Sequence, residues 1–521
     1  MKRQQMLDAI NLMEGQTWDI IIVGGGATGL GAAVESATRG YKTLLLEQED
    51  FAKGTSSRST KLIHGGVRYL QQGNLSLVLE ALKERGLLIQ NAPHLVHNLS
   101  FIVPNYNWWS GPFYGIGLKF YDLLAGKLGL GPSEFLSVAE TLKHIPTLEY
   151  ESLKGGVIYQ DGQFDDARLA ISLAQTAADH GATIVNYFKV TNFIKVQNFI
   201  AGVLATDVLS GNEFELKSKV VINATGVFVD SLMQADDPNH KKIIAPSQGI
   251  HLVLDKDFLP GKSAIMVPHT DDGRVLFAIP WHNKVVVGTT DTPVTEPSLE
   301  PKALPEEIDF ILKHAARYLE KDPTASDVKS VFAGLRPLVK NGNGGHTATI
   351  SRDHSILISE SGLITVAGGK WTTYRKMGED VIDKACLVGS LTERKSITSD
   401  LKIHGWTDNI DSNDDLRHYG SDIVPLRKLH ADCPELGEKI HPSLPYLKAE
   451  IIWGIREEMA MTLEDVLARR TRALLLDAQV TINIAREVAL MMAGELNKDE
   501  SWVDSQLTNF SKVAENYRIK S

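Results

Sequence analysis

The sequence predicts an α/β fold in which a parallel sheet is assembled from separated stretches of chain. A mixed-sheet region and a helical C-terminal region complete it. Three observations predict this. The apolar run Ile20–Val23 ends in Gly24-Gly25-Gly26-Ala27-Thr28-Gly29, with a helix-like stretch and a second apolar strand behind it. Two later apolar strands, around 220–223 and 363–367, also run into small-residue turns and helix starts, so three strand–glycine–helix junctions (23–29, 222–227, 366–372) point to one Rossmann-like domain. At 521 residues the chain exceeds what one hydrophobic core organises, so two or three domains are expected.

The first junction carries the most information. Gly24, Gly26 and Gly29 satisfy G-x-G-x-x-G at a strand end. The first glycine permits the tight turn, the second lets a pyrophosphate approach the backbone, and the third lets the helix pack on the strand. That helix, about 27–39, points its free N-terminal amides at the phosphates. Leu44–Leu46 reads as the next strand. Glu47 closes it, placed for a carboxylate to hold the ribose hydroxyls of an adenine dinucleotide. The motif by itself fixes an ADP moiety and does not separate NAD from FAD.

Upstream, Met6, Ile10 and Met13 fall at helical spacing, so residues 1–17 read as a short amphipathic N-terminal helix. Residues 50–69 hold the hydroxyl residues Thr55, Ser56, Ser57, Ser59 and Thr60 with Gly54, Gly65 and Gly66. Such a segment can wrap a cofactor with backbone and hydroxyl hydrogen bonds. A helix is expected over 74–91. The stretch 105–121 concentrates Trp108, Trp109, Phe113, Tyr114, Phe120 and Tyr121, which suits either core packing or a membrane interface. Asp165 or Asp166 caps a helix, and a β-rich stretch leads to Asn223-Ala224-Thr225-Gly226. Alternating strands follow over 247–290, then a helix over 305–318 and strands at 330–337 and 355–358. Residues 390–420 read as a linker, and three helical stretches beyond it (449–461, 463–467, 480–496) as a separate domain.

Composition narrows the function classes. A net charge of −10 argues against a broad nucleic-acid footprint. Cys386 and Cys433 form no zinc or C-x-x-C pattern, so no metal site is expected and both are read as buried packing residues. No apolar run of about 18 residues occurs, and the first 17 residues lack a signal-peptide centre, so a cytosolic protein attached at most to a membrane surface is expected.

Taken together, the motifs resemble the FAD-dependent, respiratory glycerol-3-phosphate dehydrogenase family. The matching segments are Ile-Val-Gly-Gly-Gly-Ala-Thr-Gly (22–29), Thr-Ser-Ser-Arg-Ser-Thr-Lys-Leu-Ile-His-Gly-Gly-Val-Arg-Tyr-Leu (55–70), Asp-Asp-Ala-Arg-Leu (165–169), Asn-Ala-Thr-Gly (223–226), Gly-Thr-Thr-Asp-Thr (288–292), Gly-Leu-Arg-Pro-Leu (334–338), Ser-Arg-Asp-His (351–354) and Gly-Gly-Lys-Trp-Thr-Thr-Tyr-Arg (368–375). Residues 461–472 are similar to the family's C-terminal helical domain. Trp371 stands where the family usually has Leu.

The resemblance implies an FAD-binding domain of the glutathione-reductase/amino-acid-oxidase type. Its bounds are 18–390, with FAD-binding segments at about 18–100, 155–230 and 330–390, substrate-binding segments at about 101–154 and 231–329, and a helical domain at 391–521. Cofactor contacts fall on the first junction (Gly24, Gly25, Gly26, Thr28, Gly29, Glu47). They continue in the hydroxyl-rich segment (Thr55, Ser56, Ser57, Lys61, Leu62, His64, Gly65, Gly66) and at the later junctions (Ala224, Thr225, Gly226, Gly369, Lys370, Thr372). The implied reaction takes a hydride from C2 of sn-glycerol 3-phosphate to flavin N5. Its phosphate dianion calls for Arg68, Arg336, Arg352 and Lys370, with Tyr69 as a hydroxyl donor. His251 is the candidate base, Arg336 orients the substrate, and Lys370 supplies charge to the reduced flavin. The family passes electrons to a membrane quinone. That places the protein peripherally on the inner face of the cytoplasmic membrane, with the aromatic run and a basic face around Arg469, Arg470 and Arg472 as candidate contacts; a homodimer is compatible. The rival readings are an oxygen-using oxidase of the same substrate, an amine or 2-hydroxy-acid oxidase, and a non-redox flavoprotein.

Overall fold

A computed structural model describes residues 1–66, 75–107, 110–268, 270–271, 273–340, 354–411 and 414–519. One sheet has eight strands, with Ile364–Gly368, Glu213–Asn223, Thr17–Val23, Thr43–Leu46 and Thr183–Val185 adjacent and parallel, and His354–Ile358 antiparallel at the edge. Its central strand is buried on both faces. Ile20, Ile21 and Ile22 expose nothing, as the unbroken apolar run requires of a parallel strand covered on both sides. Three strands that lie about 200 and 150 residues apart in sequence thus end side by side, and their glycine turns converge.

The second sheet has ten strands and is mixed: Ala264–Val267 runs parallel to Val96–Asn105, and its other pairings are antiparallel. Its long strand Ile244–Asp255 pairs with Ser330–Val339 over ten positions and with Lys284–Gly288 on the other side. The helix Asp166–Asp179 joins the two sheets. Asp165 caps it, accepting from the Ala167 and Arg168 amides.

The C-terminal helices, including Lys448–Glu457, Ala478–Leu496 and Glu500–Ala514, pack Leu467, Leu474 and Met492 against Val253, Trp281, Val286 and Phe332 of the second sheet. The helix expected over 463–467 is replaced by a π-helical turn, Asp465–Arg470. Two expectations fail here. Arg469, Arg470 and Arg472 form no exposed basic face. They are buried in ion pairs with Asp50, Glu464, Asp465 and Asp166, because two carboxylates of the first domain, Asp50 and Asp166, point into this junction. Cys433 is exposed, since it follows the end of the surface helix Ile423–Asp432; Cys386 is buried.

The aromatic run forms the helix Ser110–Ala125. Tyr121 is buried in it while Phe120 and Leu123 face outward. Trp108 and Trp109 lie outside the described residues.

Candidate active site

The three junctions wall a cavity of about 730 Å³ that continues along the second sheet. At the first, Gly24 has φ +113°, and a Cβ there would lie 2.6 Å from the Ala224 carbonyl. A Cβ on Gly29 would lie 1.8 Å from the Gly24 carbonyl, so helix Ala27–Thr38 can leave the strand only from glycine. The Ala27 amide donates to Ser56 Oγ (2.9 Å), which ties the helix start to the hydroxyl-rich segment. Glu47 is held at the end of its strand by the Gly25 and Glu49 amides (2.6 and 2.8 Å). Burial pushes its carboxyl up to about 7.

The second junction brings Ala224, Thr225 and Gly226 to the cavity, with Thr225 Oγ1 donating to Asn223 Oδ1 at 2.7 Å. The third brings Gly368, Gly369, Lys370, Trp371 and Thr372, at the start of the short turn that leads into helix Tyr374–Val388. The Trp371 indole donates to the Ser56 carbonyl (2.9 Å), so the departure from Leu at this position locks the third junction to the hydroxyl-rich segment.

On the second sheet, His251 is paired in register with Gly288 and Phe332. Its ring stacks on Phe332 (4.8 Å), and its Nε2 shares a hydrogen bond with Thr60 Oγ1 (2.9 Å). Its Nδ1 is buried with no hydrogen-bond partner among the described residues. Burial, then the Lys61 and Arg336 cations, hold the imidazole well below its ordinary pKa, so it is neutral. Arg336 donates to Thr289 Oγ1 (3.2 Å) and the Thr290 carbonyl (3.0 Å) and faces Asp291. Asp291 in turn accepts from Ser247. A Cβ at Gly249 would lie 2.5 Å from Arg336 Nη2, so this glycine clears the space for the guanidinium.

The cavity gathers Gly24, Gly26, Thr28, Glu47, Thr55, Ser56, Leu62, His64 and Gly66 from the first domain with His251, Arg336, Lys370 and Thr372. Gly25, Gly29 and Gly65 do not line it. The first holds Glu47, the second packs on Gly24, and the third packs against Leu82 and Tyr121. Ser57 and Lys61 also turn away, toward Asp166 and Arg472. Lys61 is wholly buried and its ammonium is pushed down to about 8. Its ammonium is therefore part of the support behind the wall. Arg68, Tyr69 and Arg352 lie outside the described residues. Sequence reasoning missed Thr60, Thr289, Asp291 and Arg274, which line the same cavity. The first three stand inside the quoted segments 55–70 and 288–292, but nothing in their spacing shows which side chain they serve.

The donor set fits an adenine dinucleotide carrying a flavin: a glycine cradle, a helix start, a carboxylate at the second strand end, and a third junction continuous with a substrate wall. A family model described as FAD dependent oxidoreductase matches residues 19–375. One described as the C-terminal domain of alpha-glycerophosphate oxidase matches residues 383–502. The chain is an FAD-dependent oxidoreductase.

It is 39% identical to the mitochondrial glycerol-3-phosphate dehydrogenase of Macaca fascicularis, over 98% of this chain and 74% of that one. It is 37% identical to that of Arabidopsis thaliana, over 96% and 86%. The crystal structure of the glycerol-3-phosphate dehydrogenase from Bacillus halodurans complexed with FAD superposes with a TM-score of 0.81 at 30% identity, over 99% of this chain and 98% of that one. The chain belongs to the FAD-dependent glycerol-3-phosphate dehydrogenase family.

Proposed function

We propose that the protein oxidises sn-glycerol 3-phosphate at C2 to dihydroxyacetone phosphate and passes the electrons to a membrane quinone. FAD, when bound, supplies the oxidant that takes the hydride from C2. The chain supplies the rest. Arg336, fixed by Thr289, Thr290 and Asp291, offers a fork to the phosphate, joined by Lys370 and by Arg68, Tyr69 and Arg352 from the matched motifs. His251 accepts the C2 hydroxyl proton, leaving the carbonyl as the hydride departs. A neutral imidazole is ready for this, and the arriving dianion offsets the Lys61 and Arg336 charges that depress its basicity. The observation that carries the reading is the meeting of a buried neutral imidazole and an anchored guanidinium in the cavity that the glycine junctions wall.

A lipid-dissolved acceptor requires contact with a bilayer. No described helix is long and apolar enough to cross a membrane. The helices Leu75–Asn91 and Ser110–Ala125 pack together and expose Leu75, Leu79, Phe120 and Leu123, with Phe135 exposed nearby under Lys119. This apolar patch takes the attachment role that the buried arginines cannot fill, and it supports a peripheral position on the inner face of the cytoplasmic membrane.

Anaerobic stopped-flow reduction tests the base. His251→Asn is expected to slow reduction of bound flavin by glycerol 3-phosphate roughly 100-fold or more; a rate within a few-fold of wild type removes His251 from the role. Sedimentation with phospholipid vesicles tests attachment. Binding is expected for wild type and its loss for Leu123→Asp, whereas wild-type protein that stays in the supernatant refutes membrane docking.

A further inference from the structure

The buried arginines that cannot meet a membrane have another use. Arg472, 1% exposed, donates from Nη2 to the Ser57 carbonyl (2.6 Å) and to Asp166 Oδ1 (3.1 Å), and from Nη1 to the Ala468 carbonyl (2.8 Å). The same Ser57 carbonyl accepts from Lys61 Nζ (2.9 Å), and the other oxygen of Asp166 accepts from Lys61 and from the Ser59 amide and hydroxyl. The Ser57 carbonyl, the Ser59 amide and hydroxyl and the Lys61 ammonium therefore close on one cluster that Arg472 completes from the C-terminal unit.

The opposite side of the same segment faces the cavity. Ser56 receives the helix-start amide of Ala27 and the indole of Trp371, Thr55 donates to the Leu335 carbonyl (2.6 Å), and Thr60 meets His251. Ser57 is one residue from Ser56 and three from Thr60, the hydrogen-bond partner of His251. Lys53, bonded to Glu464 at 2.6 Å, repeats the tie at the start of the segment.

We propose that the C-terminal unit is the clamp that holds the cofactor-binding segment 53–61 in its binding conformation, with Arg472 as the positioning residue. The unit then acts on cofactor retention without touching the cofactor. A guanidinium is needed because a second nitrogen must reach the Ala468 carbonyl of the C-terminal unit while the first holds the Ser57 carbonyl and Asp166, a three-acceptor tie made through one rigid plane. Cofactor binding and clamp closure are one linked equilibrium, so each stabilises the other.

The test compares Arg472→Lys with Arg168→Lys. Arg168 pairs bidentately with Glu458 across the same interface and, among the described residues, makes no hydrogen bond to segment 53–61. With apoprotein titrated by FAD and followed by flavin fluorescence, Arg472→Lys is expected to raise the dissociation constant roughly 10- to 100-fold and Arg168→Lys by less than about three-fold. A wild-type constant for Arg472→Lys, or equal weakening by both variants, overturns the clamp in favour of general interface loosening. Hydrogen exchange on wild-type protein gives the answer even if a variant fails to fold. FAD is expected to slow exchange in both 53–61 and 462–473; protection confined to 53–61 refutes the proposal.

Discussion

Burial of Glu47 makes cofactor affinity depend on pH in a way that can be worked out. The carboxyl is pushed from an ordinary 4.5 to about 7, because burial outweighs the two backbone amides that favour its charged form. Ribose hydroxyls donating to it favour the carboxylate, so FAD binding releases a proton over this range. If binding returns the group to its ordinary value, the dissociation constant at pH 5.5 exceeds that at pH 8 by roughly 30-fold. The sign for the apoprotein is the reverse. A carboxyl raised in the folded state contributes stability that is present below pH 4.5 and lost as pH rises through 7. Glu47→Gln mimics the protonated form, so its apoprotein is expected to melt above wild type at pH 8 while binding FAD with little pH dependence. Fluorescence titrations of apoprotein between pH 5.5 and 8 check both. A flat wild-type profile, or a Glu47→Gln profile as steep as wild type, refutes the reasoning.

Three other perturbations probe the remaining parts of the site. Gly249→Ala places a methyl 2.5 Å from Arg336 Nη2, and the guanidinium, as the end of a flexible chain, gives way. KM for glycerol 3-phosphate is expected to rise about tenfold or more with FAD affinity unchanged, read by steady-state kinetics and flavin titration. Thr60→Val leaves His251 Nε2 without its partner and is expected to slow flavin reduction at least about tenfold, with recovery in Thr60→Ser, measured anaerobically by stopped flow. Asp50→Asn removes the carboxylate that accepts from Arg469 and Arg470 in the buried junction. About 3–5 kcal/mol of stability should be lost, seen as a lower denaturant midpoint for flavin release.

Much of this fold was legible because it follows from local rules. The apolar run before Gly24, the three required glycines and the capped helix at Asp165 state their conformations in their own composition. The adjacency of strands 17–23, 213–223 and 364–368 followed from their sharing one kind of ending. What stayed hidden depends on distant partners. The arginines at 469–472 read as a basic surface, because a charge run shows no sign of the Asp50 and Asp166 carboxylates buried against it. Lys61 stands among neighbours that line the cavity but its side chain points to the opposite side, since side-chain direction within an irregular segment leaves no periodic trace. The hydrogen bond of Thr60 to His251 joins residues 191 apart and exists only because the segment leading into strand Leu62–Ile63 folds against the second sheet.

The central claim is that these junctions and this cationic wall serve one polyol phosphate. Anaerobic titration of the holoprotein tests it most directly. Bleaching of the flavin band by about one equivalent of sn-glycerol 3-phosphate, with no response to glycine or proline, is the result the structure predicts. A flavin that stays oxidised with glycerol 3-phosphate and is reduced by an amino acid would contradict it.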